Sequence, residues 1–347
     1  MKKMLALLLA LVMVLSLAAC ASSQPAAAST ETAETTETTE PAAEESAEAP
    51  AESGKTYTVG VCQLVQHEAL DAATQGFVDA LKEELGDAVT VDVQNASGDS
   101  VNCGTIVNGF VSKGVDLIMA NATPALTAAV SATADIPILG TSITAYGVAL
   151  DIDDFNGTVG GNVSGTSDLA DLQAQAQMIL DWFPETKTVG LLFCSAEPNS
   201  RYQIDEVRKA LEAQGVTCEE FAFTDSNDVS SVTQKAADFS DVVYIPTDNT
   251  AASNTEAIAN VLIPAGVPAI CGEEGLCRGC GVATLSISYY DLGVTTGKMA
   301  AKILKGEASI SEMPVEYAEN FTPEYNPVVC EELGVKVPDT YQALDVK

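Results

Sequence analysis

Short polar residues cluster just after apolar runs in this sequence, and their types suit holding a small charged molecule. Asp248, in Pro246-Thr247-Asp248-Asn249-Thr250, is the anion placed to meet an ammonium group. Thr123, Ser195, Asn199 and Ser200 carry hydroxyl or amide groups suited to a carboxylate, and Glu197 stands among them in Ser195-Ala196-Glu197-Pro198-Asn199-Ser200. Thr123-Pro124 reads as a helix start, with Thr123 as N-cap and Pro124 in the first helical position. The free N–H groups of such a start favour an anion. Together these groups would suit a zwitterion. Thr123, Ser200 and Asn249 are also common capping types, so capping and ligand contact are both open for each.

Bond-breaking chemistry finds less support. His67 is the only histidine, and His67 with Glu68 makes half of an acid–base pair with no nucleophile implied. There is no Gly-x-Ser-x-Gly elbow and no phosphate-cradling glycine loop. The expectation is therefore a binding protein and not an enzyme. Of the nine cysteines, only Cys277-Arg278-Gly279-Cys280 has metal-like spacing, and a zinc ribbon needs a second such pair. No metal and no cofactor are expected, and a Cys277–Cys280 disulfide stays open. Cys62, Cys194 and Cys271 sit in or beside apolar β-like runs, where free cysteine behaves as a small hydrophobe. With 49 acidic and 16 basic residues the chain carries a net charge of −33, which offers no basic footprint for nucleic acid or anionic lipid.

The elements that must position these residues alternate. Strand-like runs begin at Thr58, Val89, Asp116 and Ile136, then at Val189, Cys218, Asp241, Pro268 and Val282, with amphipathic helical stretches between them. Val189-Gly190-Leu191-Leu192-Phe193-Cys194 lacks any polar position, as befits a parallel strand covered on both faces. Repeating βα units imply parallel sheets with right-handed crossovers. Thr58-Val59-Gly60-Val61-Cys62 opens one series and Thr188-Val189-Gly190-Leu191-Leu192-Phe193 opens another of the same character. The fold class expected is α/β, with two doubly wound, Rossmann-like parallel-sheet lobes joined by a hinge and a ligand cleft between them. In such sheets a ligand sits beyond the carboxyl ends of the strands. Residues 56–165 with 289–310 are assigned to lobe 1, and 166–288 with 311–347 to lobe 2.

The amino-terminal stretch reads differently. Lys2 and Lys3 precede an apolar run from Met4 to Leu17, which suits a secretory signal over residues 1–19. Leu17-Ala18-Ala19-Cys20 resembles the bacterial lipobox, in which Cys20 takes diacylglycerol. Residues 20–55 hold no aromatic residue and no aliphatic residue larger than Ala, and eight glutamates from Glu31 to Glu52 repel one another. That composition describes a tether between a lipid anchor and a folded domain. An exported protein, held by lipid on the outer face of the cell membrane, is the expectation.

Several stretches then resemble one family in order along the chain. They are Gly60-Val61-Cys62-Gln63 with His67, Ala122-Thr123-Pro124-Ala125, Gly161-Asn162-Val163-Ser164-Gly165 with Asp168, Glu197-Pro198-Asn199-Ser200, Pro246-Thr247-Asp248-Asn249, and Tyr290-Asp291-Leu292-Gly293. The set is similar to the tryptophan- and tyrosine-binding branch of ABC importer substrate-binding proteins, which have the type I periplasmic-binding-protein fold. The resemblance implies two lobes joined by three crossovers that close around a free amino acid, often aromatic. It implies Asp248 on the ligand ammonium, Thr123, Asn199 and Ser200 on its carboxylate, and His67, Asp168 and Tyr289 lining the cleft. It further implies membrane permease subunits as partners and a monomer. Two departures stand out: Thr141-Ser142-Ile143-Thr144-Ala145-Tyr146, which could reshape the side-chain pocket, and the Cys277/Cys280 pair. A sugar or nucleoside ligand on the same fold, or a sensor presenting its ligand to a receptor, are the alternatives. Aromatic residues make up only 5% of the chain, which disfavours a sugar platform.

Overall fold

The computed structural model describes residues 55–318 and 320–346. The expected signal peptide, the lipidated Cys20 and nearly all of the tether lie outside the described residues.

The first run of elements is β1 (Tyr57–Gln63), α1 (Glu68–Leu85), β2 (Val89–Asn95), α2 (Ser100–Lys113), β3 (Leu117–Asn121), α3 (Thr123–Ala132), β4 (Ile138–Ile143), α4 (Tyr146–Ala149) and β5 (Val163–Ser167). The second is α5 (Leu172–Trp182), β6 (Thr188–Cys194), α6 (Pro198–Glu212), β7 (Thr217–Phe223), α7 (Val229–Phe239), β8 (Val242–Ile245), α8 (Asn249–Ala252), α9 (Thr255–Ala265), β9 (Ala269–Cys271), α10 (Glu274–Cys280) and β10 (Ala283–Ser286). The chain then returns through α11 (Tyr289–Lys305) and β11 (Glu316–Tyr317), and ends with β12 (Thr322–Tyr325), α12 (Pro327–Leu333) and β13 (Gln342–Ala343).

Two sheets result, ordered β11-β5-β4-β3-β1-β2 and β13-β12-β10-β9-β8-β6-β7. Every pairing is parallel except that of β10 with β12. The central strands β1, β3, β4, β6 and β8 are buried on both faces, which is why their sequences are largely apolar without alternation, whereas the edge strands β2 and β7 carry exposed polar residues. In the first lobe Val61 and Met119 meet Phe77 and Met299 from α1 and α11, while Cys62 and Ile118 meet Phe110 and Leu126 from α2 and α3. In the second, Leu191 and Phe193 face α5 and α6 while Leu192 and Cys194 face α7, α9 and α10. The two lobes repeat one detail at their strand starts. Asp116 Oδ2 accepts from Thr58 N–H and its hydroxyl at 2.7 and 3.1 Å, and Asp241 Oδ2 accepts from Thr188 N–H and its hydroxyl, both at 2.9 Å. This shared brace supports the reading of two similar halves.

The chain passes between the sheets three times: from β5 to α5, from β10 to α11, and from β11 to β12. α11 lies against α1 of the first lobe almost backbone to backbone. A Cβ on Gly293 would stand 2.0 Å from Ala73 O, and one on Gly76 would stand 2.1 Å from Tyr290 O, so only glycine permits that approach.

Several expectations need adjustment. The lobe boundary shifts: residues 166–167 complete β5, and the segment 311–317, expected in lobe 2, joins the first sheet through β11. Met313 and Val315 bury into the first lobe's core, and Ser164 Oγ donates to Met313 O at 3.0 Å. A two-residue strand has no periodicity to read, so pattern alone could not place it. The helical stretch expected between the strand-like runs at Asp241 and Pro268 is two helices, α8 and α9, separated at Ser253 and Asn254. Thr123 is the first helical residue of α3 and not its N-cap, a place taken by Ala122 at φ +86°. The Cys277–Cys280 stretch, where the sequence leaves a disulfide open, lies in helix α10, and both thiols are free and buried.

Candidate functional site

In the first sheet β1 lies between β2 and β3, and in the second β6 lies between β7 and β8. These are the points where the winding reverses, and the loops beyond the carboxyl ends diverge there to leave a crevice. A narrow cavity lies between the lobes at this place. From the first lobe and its crossover it is lined by His67, Ala69, Leu70, Ser142, Thr144 and Asp168. From the second it is lined by Asn199, Thr247, Asp248, Asn249, Ala252 and Glu273, and Tyr289 closes it at the start of α11.

Three polar atoms on this wall are buried and have no hydrogen-bond partner: Ser142 Oγ, Asp168 Oδ1 and Asn199 Oδ1. Leaving such groups unpaired costs about 1–3 kcal/mol each, so their convergence on one hollow marks a place built for a polar molecule. Asp168 is held by its other oxygen, which accepts from the Tyr289 hydroxyl at 3.0 Å. Asn199 donates to Thr247 O at 3.2 Å, which fixes the amide and turns Oδ1 free. Ser142 sits at φ +55° at the end of β4.

The wall is acidic. Burial pushes the Asp168 carboxyl up, against the opposing hydrogen bonds of Tyr289 and Thr144. Burial, then the nearby Glu197 charge, pushes Asp248 up to about 8. Burial raises Glu273 to about 7, opposed by the N–H groups of Gly275 and Leu276. Among the lining residues there is no lysine or arginine. Burial also holds the His67 imidazole below its usual range, against the pull of its Asn249 contact and of Glu197 and Asp71. A positive group entering here would meet several carboxyls that gain by ionising beside it. A negative group would find a different partner. α1 begins at Glu68 with no side-chain cap, and Ala69 and Leu70 of its first turn line the cavity. The unpaired N–H groups of an 18-residue helix make that end electropositive.

The residues singled out from sequence divide accordingly. His67, Asp168, Asn199, Asp248, Asn249 and Tyr289 come together on the cavity wall. Asp248 is already engaged, since Oδ2 accepts from Cys194 N–H at 2.6 Å and Oδ1 accepts from Ala251 N–H at 2.8 Å. Glu197 does not line the cavity. Its carboxylate accepts from Asn249 N–H and side-chain amide at 3.1 and 2.6 Å and from Thr250 N–H and hydroxyl at 2.9 and 2.8 Å. Ser200 is fully buried behind Asp248 and bonds to it. Ser195 is not brought to the cavity: its hydroxyl donates outward to Phe223 O at 3.2 Å. Thr123 is buried at the start of α3 and does not line this cavity either. Ser142, Thr144 and Glu273 were not singled out as site residues. The signal was present, because each lies at or just beyond the carboxyl end of a strand, β4 or β9, where the chosen residues also lie. Ser142 and Thr144 fall inside the divergent stretch 141–146 and lie on the cavity wall.

Glu197 thus fixes the loop that carries Asn249. Glu197→Ala would strand four donors, and a loss of about 3 kcal/mol in unfolding free energy is expected. Urea denaturation of the variant against wild type measures it, with Glu197→Gln falling between them because one acceptor remains.

The family profile described as ABC transporter substrate binding protein matches residues 58–345 of this chain. The chain belongs to that family. The role of this family is substrate binding. The chain is 32% identical over 302 residues to a tyrosine-binding protein of Clostridioides difficile strain R20291, covering 85% of this chain and 83% of that one. A Streptococcus pneumoniae ABC domain solved in complex with L-Trp is 32% identical with a TM-score of 0.79, over 83% of this chain and 99% of that one. A ligand-free, open substrate-binding protein with adhesive properties from Clostridium difficile is 33% identical with a TM-score of 0.64, over 84% of this chain and 100% of that one. At nearly equal identity, the TM-score is higher against the ligand complex than against the ligand-free, open structure. His67 Nε2 and Asn249 Oδ1 meet across the cleft, 3.2 Å apart.

Proposed function

We propose that this binding protein captures a free amino acid with an aromatic or large apolar side chain by closing its lobes, and presents it to the permease of an ABC importer. The observation that carries this reading is the convergence of Ser142 Oγ, Asp168 Oδ1 and Asn199 Oδ1, unpaired and buried, on one inter-lobe cavity. A zwitterion answers each need of that wall. Its ammonium donates to Asp168 and Asn199, which stand on opposite sides of the cleft, so binding ties the lobes together. Its carboxylate takes the α1 N-terminus and the Ser142 hydroxyl. Tyr289, Leu70 and Ala252 supply apolar surface for the side chain. Two relatives at similar identity, the tyrosine-binding protein and the L-Trp complex, favour an aromatic side chain.

Asp248 then acts as a neighbouring charge and a loop brace, and Asp168 as the direct ammonium partner. Closure follows because the ligand makes contacts in the closed arrangement that it cannot make in the open one. The lipid anchor at Cys20 and an outer-face location belong to the same proposal. They rest on the lipobox-like Leu17–Cys20 stretch and are checked by palmitate labelling of the full chain that is lost in Cys20→Ala. Among the described residues no helix is long and apolar enough to cross a membrane. A thermal-shift screen of the twenty amino acids, nucleosides and simple sugars tests the ligand class. A rise in melting temperature with tyrosine or tryptophan is expected; a response confined to sugars or nucleosides would overturn the reading.

A further inference from the structure

Arg278 lies in α10 of the second lobe, away from the cavity. Its Nη1 pairs with Glu68, the first residue of α1 in the first lobe, and its Nη2 pairs with Glu274 one turn earlier on its own helix. We infer that Arg278 is a closure latch, a positioning residue whose guanidinium bridges the lobes in the closed arrangement and raises ligand affinity without touching the ligand. The latch rests on the proposed closure around an amino acid.

Four observations carry it. Glu274 travels with Arg278, so opening the lobes keeps that pair and breaks only the pair with Glu68. Neither Glu68 nor Arg278 lines the cavity that holds Asp168. The meeting place is shaped for close approach, because a Cβ on Gly275 would stand 3.3 Å from the Glu68 Cβ. The crevice beside the pair is otherwise anionic, with Glu68, Glu274 and Glu324 on its walls. Loss of the guanidinium would therefore leave carboxylates facing across the lobes, turning attraction into repulsion. The planar fork of arginine serves both partners at once, which a lysine ammonium cannot match in geometry. Arg278 is fixed from behind as well, since its carbonyl accepts from the Asn326 amide at 2.9 Å.

The test is calorimetric titration of the mature chain with L-tyrosine and L-tryptophan, at low and high sodium chloride, together with small-angle scattering with and without each amino acid. Arg278→Gln is expected to weaken affinity about three- to fivefold at low salt, as for a partly exposed ion pair, with the melting temperature of the ligand-free protein unchanged. Glu68→Gln should weaken it less, because it also removes a facing negative charge, and the two changes together should cost less than the product of their separate effects. Added salt should weaken the wild type and leave the double variant unmoved. Glu68 is well exposed and can be changed without risk to folding, so it decides the matter even if Arg278→Gln folds poorly. Multiplicative effects of the two substitutions, or wild-type affinity in both, would overturn the latch while leaving ligand capture intact. A wild type that neither binds nor compacts with either amino acid would overturn the capture reading and the latch with it.

Discussion

Asp168→Asn is expected to weaken amino-acid binding by more than a hundredfold, about 3 kcal/mol, while leaving the ligand-free protein at least as stable as wild type. The two halves of this result come from the same atom. Asp168 Oδ1 is buried on the cavity wall without a partner, and burial already raises the carboxyl's pKa. Ionising this carboxyl therefore costs the folded protein, a cost that the Asn variant does not carry. Asn keeps the shape and keeps an oxygen to accept from the Tyr289 hydroxyl. It presents an NH₂ where the ligand ammonium needs an acceptor, so donor faces donor. Titration calorimetry and a thermal melt on the same preparation separate binding from folding. Asp248→Ala makes the contrast: it frees Cys194 N–H and Ala251 N–H and should lower the melting temperature as well as the affinity. Equal affinity in Asp168→Asn and wild type would place the ammonium elsewhere.

Much of this arrangement is legible in the sequence, because strand sequence and strand environment are tightly coupled. A run such as Val189–Cys194 can be apolar throughout only if helices cover both faces, and counting such runs yields both sheets. The strand-tip rule then finds Asp248, Asn249 and Asn199. What the sequence withholds is the direction in which each tip side chain is spent. Ser195 and Thr123 are as polar as Asn199, yet one bonds the backbone of β7 and the other turns into the α3 start. Asp248 and Asp168 are the same residue type, and only the observed hydrogen bonds distinguish a saturated carboxylate from one with a free oxygen. Short edge strands are equally hidden. β11 has two residues, and its place in the first sheet follows from the path of the hinge, not from any pattern.

The pH dependence follows from the same buried acids and supplies the second large effect. Asp248 titrates near 8 and Glu273 near 7 in the ligand-free fold. Both lie far above the ordinary values of about 4 that an unfolded chain retains. Between about 4 and those raised values the folded protein keeps protons that the unfolded chain has released. Stability is therefore greatest on the acid side of this window and falls as pH rises toward 8. His67 acts oppositely, because its folded pKa is lowered, and it subtracts stability as pH falls below its usual value of about 6.5. The unmixed window for the acids is thus about pH 6.5 to 8. A ligand ammonium among these carboxyls favours the ionised forms of Asp248 and Glu273 and expels the protons they hold. Affinity should rise across the window, approaching tenfold per pH unit for each proton released. The melting temperature of the ligand-free protein should decline over the same range while the ligand-induced increase grows. Calorimetry in buffers of different ionisation enthalpy counts the protons directly. Affinity that stays flat from pH 6.5 to 8, with no proton released, would mean that the ligand's positive charge does not sit among these carboxyls.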